Sequence, residues 1–257
     1  MSRDPTRTMT LFGHLGELRK RLTYVAIAVV VCCIAAFIEK KWVFFVIMRP
    51  LKGTGLETQK LLVTGPTEAF MTVLKISVYA GLIISLPFIL YQFWAFMLPA
   101  LYENERRSVT PYVAFTSALF LAGVAFAYFI VLPVGLKFLV GYGGEYFNPL
   151  LRAGEYTSFV TLFLLAFGTV FELPLVMMLV AWAGLIDHKR MRKVRKYAIL
   201  VEAAVAMVLT PSQDPLSMML MLVPLILLYE FGIWLAGITA KRKAKRDHLA
   251  VLSEAEG

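Results

Sequence analysis

The sequence is poor in charge and in chemically reactive side chains. Only 17% of its 257 residues are charged, and it contains three histidines and two cysteines. Cys32 and Cys33 are adjacent within an apolar stretch, so they offer neither a disulfide framework nor the spacing of a metal site. No cleavable signal peptide is evident at the amino terminus, because the first apolar run lacks a small-residue cleavage pattern.

Motifs of hydrolytic and nucleotide-binding enzymes are also missing. The histidines, His14, His188 and His248, all fall outside the apolar runs. Neither HExxH nor GxSxG occurs, and no glycine-rich loop ends in Lys-Ser or Lys-Thr. We therefore predict that the protein is not an enzyme, does not use ATP directly and needs no metal or other cofactor.

What the chain has in excess is apolar sequence, which makes up 59% of it and is gathered into long runs. Runs of about 18 residues or more are typical of transmembrane helices. We predict an all-α integral membrane protein with one domain over residues 1–238 and a charged tail over 239–257. The six spans are expected at about 22–38, 69–98, 109–132, 156–182, 197–209 and 216–235.

The basic residues indicate both the kind of partner and the orientation. The net charge of +9 comes from residues that flank the apolar runs, which favours a membrane surface over nucleic acid. The gaps on the amino-terminal side of the spans hold 18 Lys and Arg, and those on the other side hold seven. Because cytoplasmic loops carry the excess of positive charge, we expect both termini in the cytoplasm.

Two of the predicted spans do not match the thickness of a bilayer. Residues 69–98 would form a helix of roughly 45 Å, so it must tilt, kink at Pro87 or protrude. Residues 197–209 would form only about 20 Å of helix. Either the membrane is thinned locally near Val205 and Leu220, or the span is longer and Lys196 snorkels to the interface.

A short charged helix precedes the first span. Leu11, Leu15, Leu18 and Leu22 recur at helical spacing, which predicts one apolar face. Glu17 and Arg21 are four residues apart, where opposite charges on a helix stabilise each other. This segment can be interpreted as a cationic anchor in front of a membrane helix, or as part of a binding site.

The predicted topology places Glu17, Glu103 and Glu105 on the cytoplasmic face, as a minority of acids on a cationic surface. Arginine is the natural partner for such acids, because its planar guanidinium binds a carboxylate through paired hydrogen bonds. Glu172 lies well inside the fourth span, where a carboxylate marks function or a buried hydrogen-bonding partner. Four other acids are assigned to structural roles. Glu202 and Glu230 are expected near span ends, and Glu68 and Asp214 in caps or turns.

Several motifs together resemble the TatC family, the multispanning receptor of twin-arginine protein translocases. These motifs are residues 14–22 (HLGELRKRL), 65–70 (GPTEAF), Pro87 with 91–96 (YQFWAF), 99–107 (PALYENERR), 171–174 (FELP), 209–211 (LTP) with Asp214, and 229–232 (YEFG). Their order and spacing cover the chain from about Leu11 to Gly237.

The resemblance implies a cupped, glove-like arrangement of six helices in a bacterial cytoplasmic (inner) membrane. Such a protein would bind twin-arginine signal peptides and, with TatA-type and TatB-type single-span partners, export folded proteins using the proton-motive force. The positions that match the family's functional residues fall into four groups. They are Glu17, Arg19, Phe96 and Glu105 for the signal peptide, Glu172 in the concave face, Pro50 as a sensitive outer-loop position, and Met207, Val208 and Thr210 for partner docking. Glu103 is an additional acid beside Glu105, which either strengthens the signal-peptide site or is merely solvated.

The resemblance also implies a homo-oligomeric receptor complex, and one position departs from the family's pattern. Ser217 is followed by Met218 where related sequences often place glutamine, so a polar docking contact is in doubt there. The alternative function is a small-molecule secondary transporter, which six spans with broken helices and an intramembrane acid would suit. An intramembrane protease is disfavoured, because no pair of nucleophile and base is present.

Overall fold

A computed structural model of the chain describes residues 11–56, 60–101, 109–142, 150–182, 184, 186, 188–209 and 215–255. Within these ranges the secondary structure is helical, apart from turns and one isolated bridge between Leu62 and Arg152. The helices are α1 (Leu11–Ile38), α2 (Lys40–Met48), α3 (Glu68–Leu101), α4 (Val109–Phe126), α5 (Leu132–Gly141), α6 (Ala153–Phe171), α7 (Leu173–Trp182), α8 (His188–Lys193), α9 (Arg195–Leu209) and α10 (Pro215–Ala255).

Five stretches of helix in the described part of the chain are long and apolar enough to cross a membrane. They are Leu15–Ile38, Glu68–Met97, Tyr112–Gly141, Ala153–Ala181 and Ser217–Ile238. The fifth predicted span corresponds to α9, whose 15 residues rise roughly 22 Å, less than the hydrocarbon thickness of about 30 Å. The contrast between the very long α3 and the short α9, expected from the sequence, is therefore confirmed.

The charged amino-terminal segment and the first span form one continuous helix, α1, as the sequence indicates. Two predicted loops contain helix instead. The stretch from Glu39 to Pro66 includes α2 and a 3-10 turn at Arg49–Leu51, and the stretch 135–155 is helical at both ends. The last helix also extends beyond the predicted span at 216–235, since α10 continues through the charged tail to Ala255.

The third span is longer than predicted because Pro133 does not end it. A π-helical turn at Ala127–Val131 joins α4 to α5, and Pro133 occupies the first turn of α5. Proline is tolerated in a first turn, where its missing N–H leaves no bond unmade. The wider π turn accommodates the change of hydrogen bonding, so the helix passes through a residue that usually stops one.

α1 and α3 run antiparallel along their length. Arg21 near the start of α1 contacts Gln92 late in α3, whereas Cys33 further along α1 contacts the Val78 carbonyl. We call the end of the bundle that holds the start of α1 the N-terminal end. Trp94 packs with Leu175 of α7, and α7 in turn contacts Gly232 of α10. The start of α1 and the charged extension of α10 therefore lie at the same end.

The core is centred on α6, which packs against α3 and α4. Phe163 and Phe167 of α6 are almost completely buried, as is Phe120 of α4. A Cβ atom built on Gly123 would lie 2.6 Å from the Phe167 carbonyl oxygen. Ala127, one turn further on, is fully buried, so small residues at both positions let the helices approach closely.

At the opposite end of the bundle, Glu68 joins the starts of α3 and α6. Its carboxylate accepts hydrogen bonds from the Thr64 backbone N–H (2.6 Å), the Thr64 hydroxyl (2.7 Å) and the Gly154 N–H (3.3 Å). The cap or turn role that the sequence assigns to Glu68 agrees with these bonds, which also tie two helices together.

The contact at Gly123 can be tested by substitution. Gly123→Ala should lower the thermal unfolding temperature in detergent, because the obstacle is backbone and overpacking costs about 1–3 kcal/mol. Gly141→Ala is the matched control, since no atom lies within 4 Å of its added Cβ. If both variants unfold at the temperature of the wild type, α4 and α6 do not pack as closely as described.

Candidate functional site

An arginine shared between two helices organises the N-terminal end. Arg21 donates to Glu17 Oε1 through Nε (3.0 Å) and Nη2, and to Gln92 Oε1 through Nη1 (3.1 Å). The predicted Glu17–Arg21 pair is therefore confirmed. Sequence reasoning missed Gln92, which is only 8% exposed and can be recognised only once α1 and α3 are paired.

This contact brings together two groups of residues that the sequence predicts for one site. Glu17 precedes Arg21 by one helical turn, and Phe96 follows Gln92 by one turn, so in antiparallel helices both lie beyond the contact toward the N-terminal end. Arg19 is exposed on the same segment of α1. The structure thus places Glu17, Arg19 and Phe96 at one end of the bundle.

Glu17 keeps part of its hydrogen-bonding capacity. Both of its bonds from Arg21 go to Oε1, and no contact to Oε2 is found among the described residues. The Glu17 side chain is about one quarter exposed. A carboxylate has two oxygens and about four lone-pair sites, so Glu17 can accept a further donor from outside.

Glu103 and Glu105 lie outside the described residues, in the segment that connects α3 to α4. The helices on both sides of this segment are fixed to each other. Trp94 is 1% exposed and stacks on Tyr112 with ring centroids 5.2 Å apart. The end of α3 and the start of α4, which flank this segment, therefore lie at the end of the bundle where Glu17 and Arg21 are found.

Glu172 lies where the fourth span is interrupted. It follows the last residue of α6, and α7 begins at Leu173 and carries Pro174 in its first turn. Glu172 Oε1 is buried and has no hydrogen-bond partner in the described structure. The sequence prediction of an acid well inside the span agrees with its position within the apolar stretch Ala153–Ala181.

The prediction that Glu202 lies near a span end, where snorkelling or helix contacts would satisfy it, is wrong. Glu202 is only 5% exposed, and neither of its carboxylate oxygens has a partner among the described residues. It lines a cavity of about 450 Å³ between α6, α7, α9 and α10, where Val201 and Val205 are also found. Glu230 does fit its prediction, since it forms an ion pair with Arg195 (2.6 Å).

The remaining predicted positions lie at or near the opposite end. Pro50 is buried in the turn after α2, which is anchored by hydrogen bonds from the Tyr128 and Tyr156 hydroxyls to the carbonyls of Val46 and Ile47. On α9, Met207 and Val208 are 55% and 80% exposed, and Thr210 lies outside the described residues. In the described ranges, no cluster of three His, Cys, Asp or Glu side chains is placed to hold a metal ion.

Comparison with known proteins identifies the family. A family model described as Sec-independent protein translocase protein (TatC) matches residues 13–224. The Sec-independent protein translocase protein TatC of Carboxydothermus hydrogenoformans is 40% identical over 230 residues, which are 90% of this chain and 93% of the relative. The chloroplastic TATC protein of Arabidopsis thaliana is 34% identical, over 91% of this chain and 68% of the relative.

The fold agrees with a solved structure. A crystal structure of a twin arginine translocase receptor, TatC, superposes with a TM-score of 0.79 at 38% identity, and covers 88% of this chain and 99% of that one. The predicted all-α membrane fold is thereby confirmed, as is the prediction that the chain is not an enzyme. Matches over most of its length in sequence and in structure show that this multi-pass membrane protein belongs to the TatC family.

Proposed function

We propose that the protein is the core receptor of a twin-arginine translocase, which binds signal peptides of folded proteins at the N-terminal end of the bundle. The observation that carries this proposal is the contact of Arg21 with both Glu17 and Gln92. It holds the start of α1, which carries Glu17 and Arg19, against the end of α3, which carries Phe96. Membership of a protein-translocase family favours this function over a secondary transporter.

Charge supplies the selectivity in this proposal. The gaps expected on the cytoplasmic side hold 18 Lys and Arg, so a cationic peptide is repelled by most of that surface. Glu17 offers a free oxygen within this surface, and Glu103 and Glu105 follow α3 in the sequence. A pair of guanidinium groups bound to such acids would form strong charge-assisted hydrogen bonds, whereas lysine lacks the planar two-pronged geometry.

We also propose that both termini lie in the cytoplasm of a bacterium whose inner membrane holds the protein. The start of α1 and the extension of α10 at one end of the bundle support this orientation, as does the excess of basic residues on that side. The proposal requires an even number of crossings. α9 must therefore add a crossing to the five long stretches, as the fifth of six in chain order, despite its 15 residues.

α9 is the proposed docking helix for single-span partners of the TatA and TatB type in an oligomeric receptor. Leu200, Val201, Met207 and Val208 are all at least 55% exposed. Val201, Val205 and Val208 follow each other at spacings of four and three residues, so they share one face of the helix. The cavity that holds Glu202 opens beside this face, and a polar residue of a partner helix would meet that carboxyl group there.

The recognition role is tested with a signal peptide that carries a photo-crosslinker beside its arginine pair, in membrane vesicles. Glu105→Gln should reduce crosslinking about tenfold or more, since charge-assisted hydrogen bonds contribute about 1.5–3 kcal/mol. A Lys-Lys peptide should crosslink poorly to the wild type. Glu155→Gln, at the opposite end of the bundle, is the control. Unchanged crosslinking in a correctly inserted Glu105 variant would contradict the assignment.

The shared arginine makes a separate prediction. Arg21→Lys should speed amide hydrogen exchange in the first turns of α1 and weaken peptide binding, because one ammonium group cannot reproduce both the fork to Glu17 and the bond to Gln92. Lys20→Gln removes a neighbouring exposed charge that lacks these contacts, and it should leave exchange unchanged. Equal exchange in both variants would show that Arg21 does not hold α1 in place.

The two acids of α9 and α10 should respond in opposite directions. Glu202→Met should raise the thermal unfolding temperature of the purified protein, because a buried carboxyl group without a partner is replaced by an apolar side chain of similar length. It should also reduce copurification of single-span partners. Glu230→Gln should lower the unfolding temperature only slightly. Its half-exposed ion pair is weak, so the free energy of unfolding should fall by less than about 1 kcal/mol. A less stable Glu202 variant would mean that the carboxyl group already has a partner.

A further inference from the structure

A second, larger cavity lies at the opposite end of the bundle from the proposed recognition site, and its lining contains no residue of the proposed docking helix α9. Its volume is about 880 Å³, within the range of ligand-binding pockets. It lies between the start of α3, the end of α5 and the start of α6. The residues that matter here are Lys75 of α3, Arg152 before α6, and Glu155, Ser158 and Phe159 of α6.

The part of this cavity that lies farther from the end of the bundle, which we call its deep part, holds unused hydrogen-bond donors. Lys75 lies seven residues into α3 from Glu68, roughly 10 Å along the helix axis, and it is exposed. In the described part of the chain, Lys75 has no ion pair and the Ser158 hydroxyl has no hydrogen bond. A cation at this depth in an apolar helix needs water or an anion, so the site favours an anionic group.

The rim of the cavity carries acids. Glu155 pairs with Arg152 through Oε1 (2.7 Å), and its side chain is 71% exposed. Glu68 is engaged by Thr64 and Gly154. The cavity therefore holds two cations and two acids with no net charge, and the free cation lies deeper than the acids.

This order of charges matches one class of ligand. In a zwitterionic phospholipid the phosphate is joined to the glycerol, so it lies on the hydrocarbon side of the terminal amine. We propose that the cavity binds a phospholipid whose headgroup carries a phosphate and a primary ammonium group, as in phosphatidylethanolamine. The phosphate is bound by Lys75 and Ser158, and the ammonium group by Glu155.

The walls of the cavity can bind the acyl chain of such a lipid. The charges and donors of the cavity also fit other headgroups less well. Leu136, Leu139, Val140 and Phe159 form an apolar side along which an acyl chain can lie. A lipid with only a negative charge gains no net attraction from a neutral cavity. A trimethylated amine has no N–H to donate to Glu155, so the site discriminates by hydrogen bonding as well as by charge.

The test uses the full-length protein in nanodiscs that contain equal amounts of phosphatidylethanolamine, phosphatidylglycerol and phosphatidylcholine. Lipids retained after transfer to mild detergent are counted by native mass spectrometry. We expect phosphatidylethanolamine to be retained at least fivefold over each of the other two. Lys75→Gln should lower its retention at least fivefold, whereas Lys137→Gln, an exposed lysine of α5 that does not line the cavity, should not.

A second variant tests recognition of the amine. Glu155→Gln should remove the preference for phosphatidylethanolamine over phosphatidylcholine while phospholipid is still bound. Equal retention of the three lipids by the wild type would overturn the proposal, as would retention by Lys75→Gln at the wild-type level. Retention of phosphatidylglycerol equal to that of phosphatidylethanolamine would also overturn it. Signal-peptide crosslinking, measured on the same variants, reports on the proposed receptor function independently.

Discussion

The structure depends on the rule that a chain inside hydrocarbon must satisfy its own backbone hydrogen bonds. Helices meet this rule segment by segment, which is why long helices account for the apolar sequence in the described ranges. The hydrophobic effect does not drive helices together in lipid, because lipid tails are as apolar as the side chains. Packing and a few polar contacts must therefore hold the helices together. Here the polar contacts are concentrated near the two ends. Arg21 joins α1 to α3, and Glu68 joins α3 to α6.

The two ends therefore differ in character while they share a scaffold. At the N-terminal end, Glu17 retains an unused carboxylate oxygen in a cationic environment. At the opposite end, the oxygens of Glu68 are engaged by the chain's own backbone and by Thr64. The first arrangement can accept a ligand, and the second fixes the helices. In the proposed function, acids of the same type thus serve recognition in one place and architecture in the other, according to whether the chain itself supplies their donors.

Much of the fold follows from the sequence, because hydrocarbon imposes length and composition on each span. The continuous α1, the long α3 and the Glu17–Arg21 pair are all local features, and local features are readable from spacing. What could not be read depends on how helices meet. The hydrogen bond of Gln92 with Arg21 depends on the pairing of α1 with α3, and the burial of Glu202 depends on α6, α7 and α10. Helix within 39–66 and beyond Pro133 was missed because short helices and π turns have weak sequence signals.

The π turn at Ala127–Val131 fixes the angular phase of the helix that follows it. A π turn contains about one residue more than an α-helical turn, and each residue of an α-helix advances the chain by about 100° around its axis. Leu132 and Leu136, both almost fully buried, follow this extra residue, so their direction is rotated by about 100° from the one that an uninterrupted α-helix would give them. The π turn therefore rotates the buried face of α5 about the helix axis relative to that of α4, while the span remains one continuous helix.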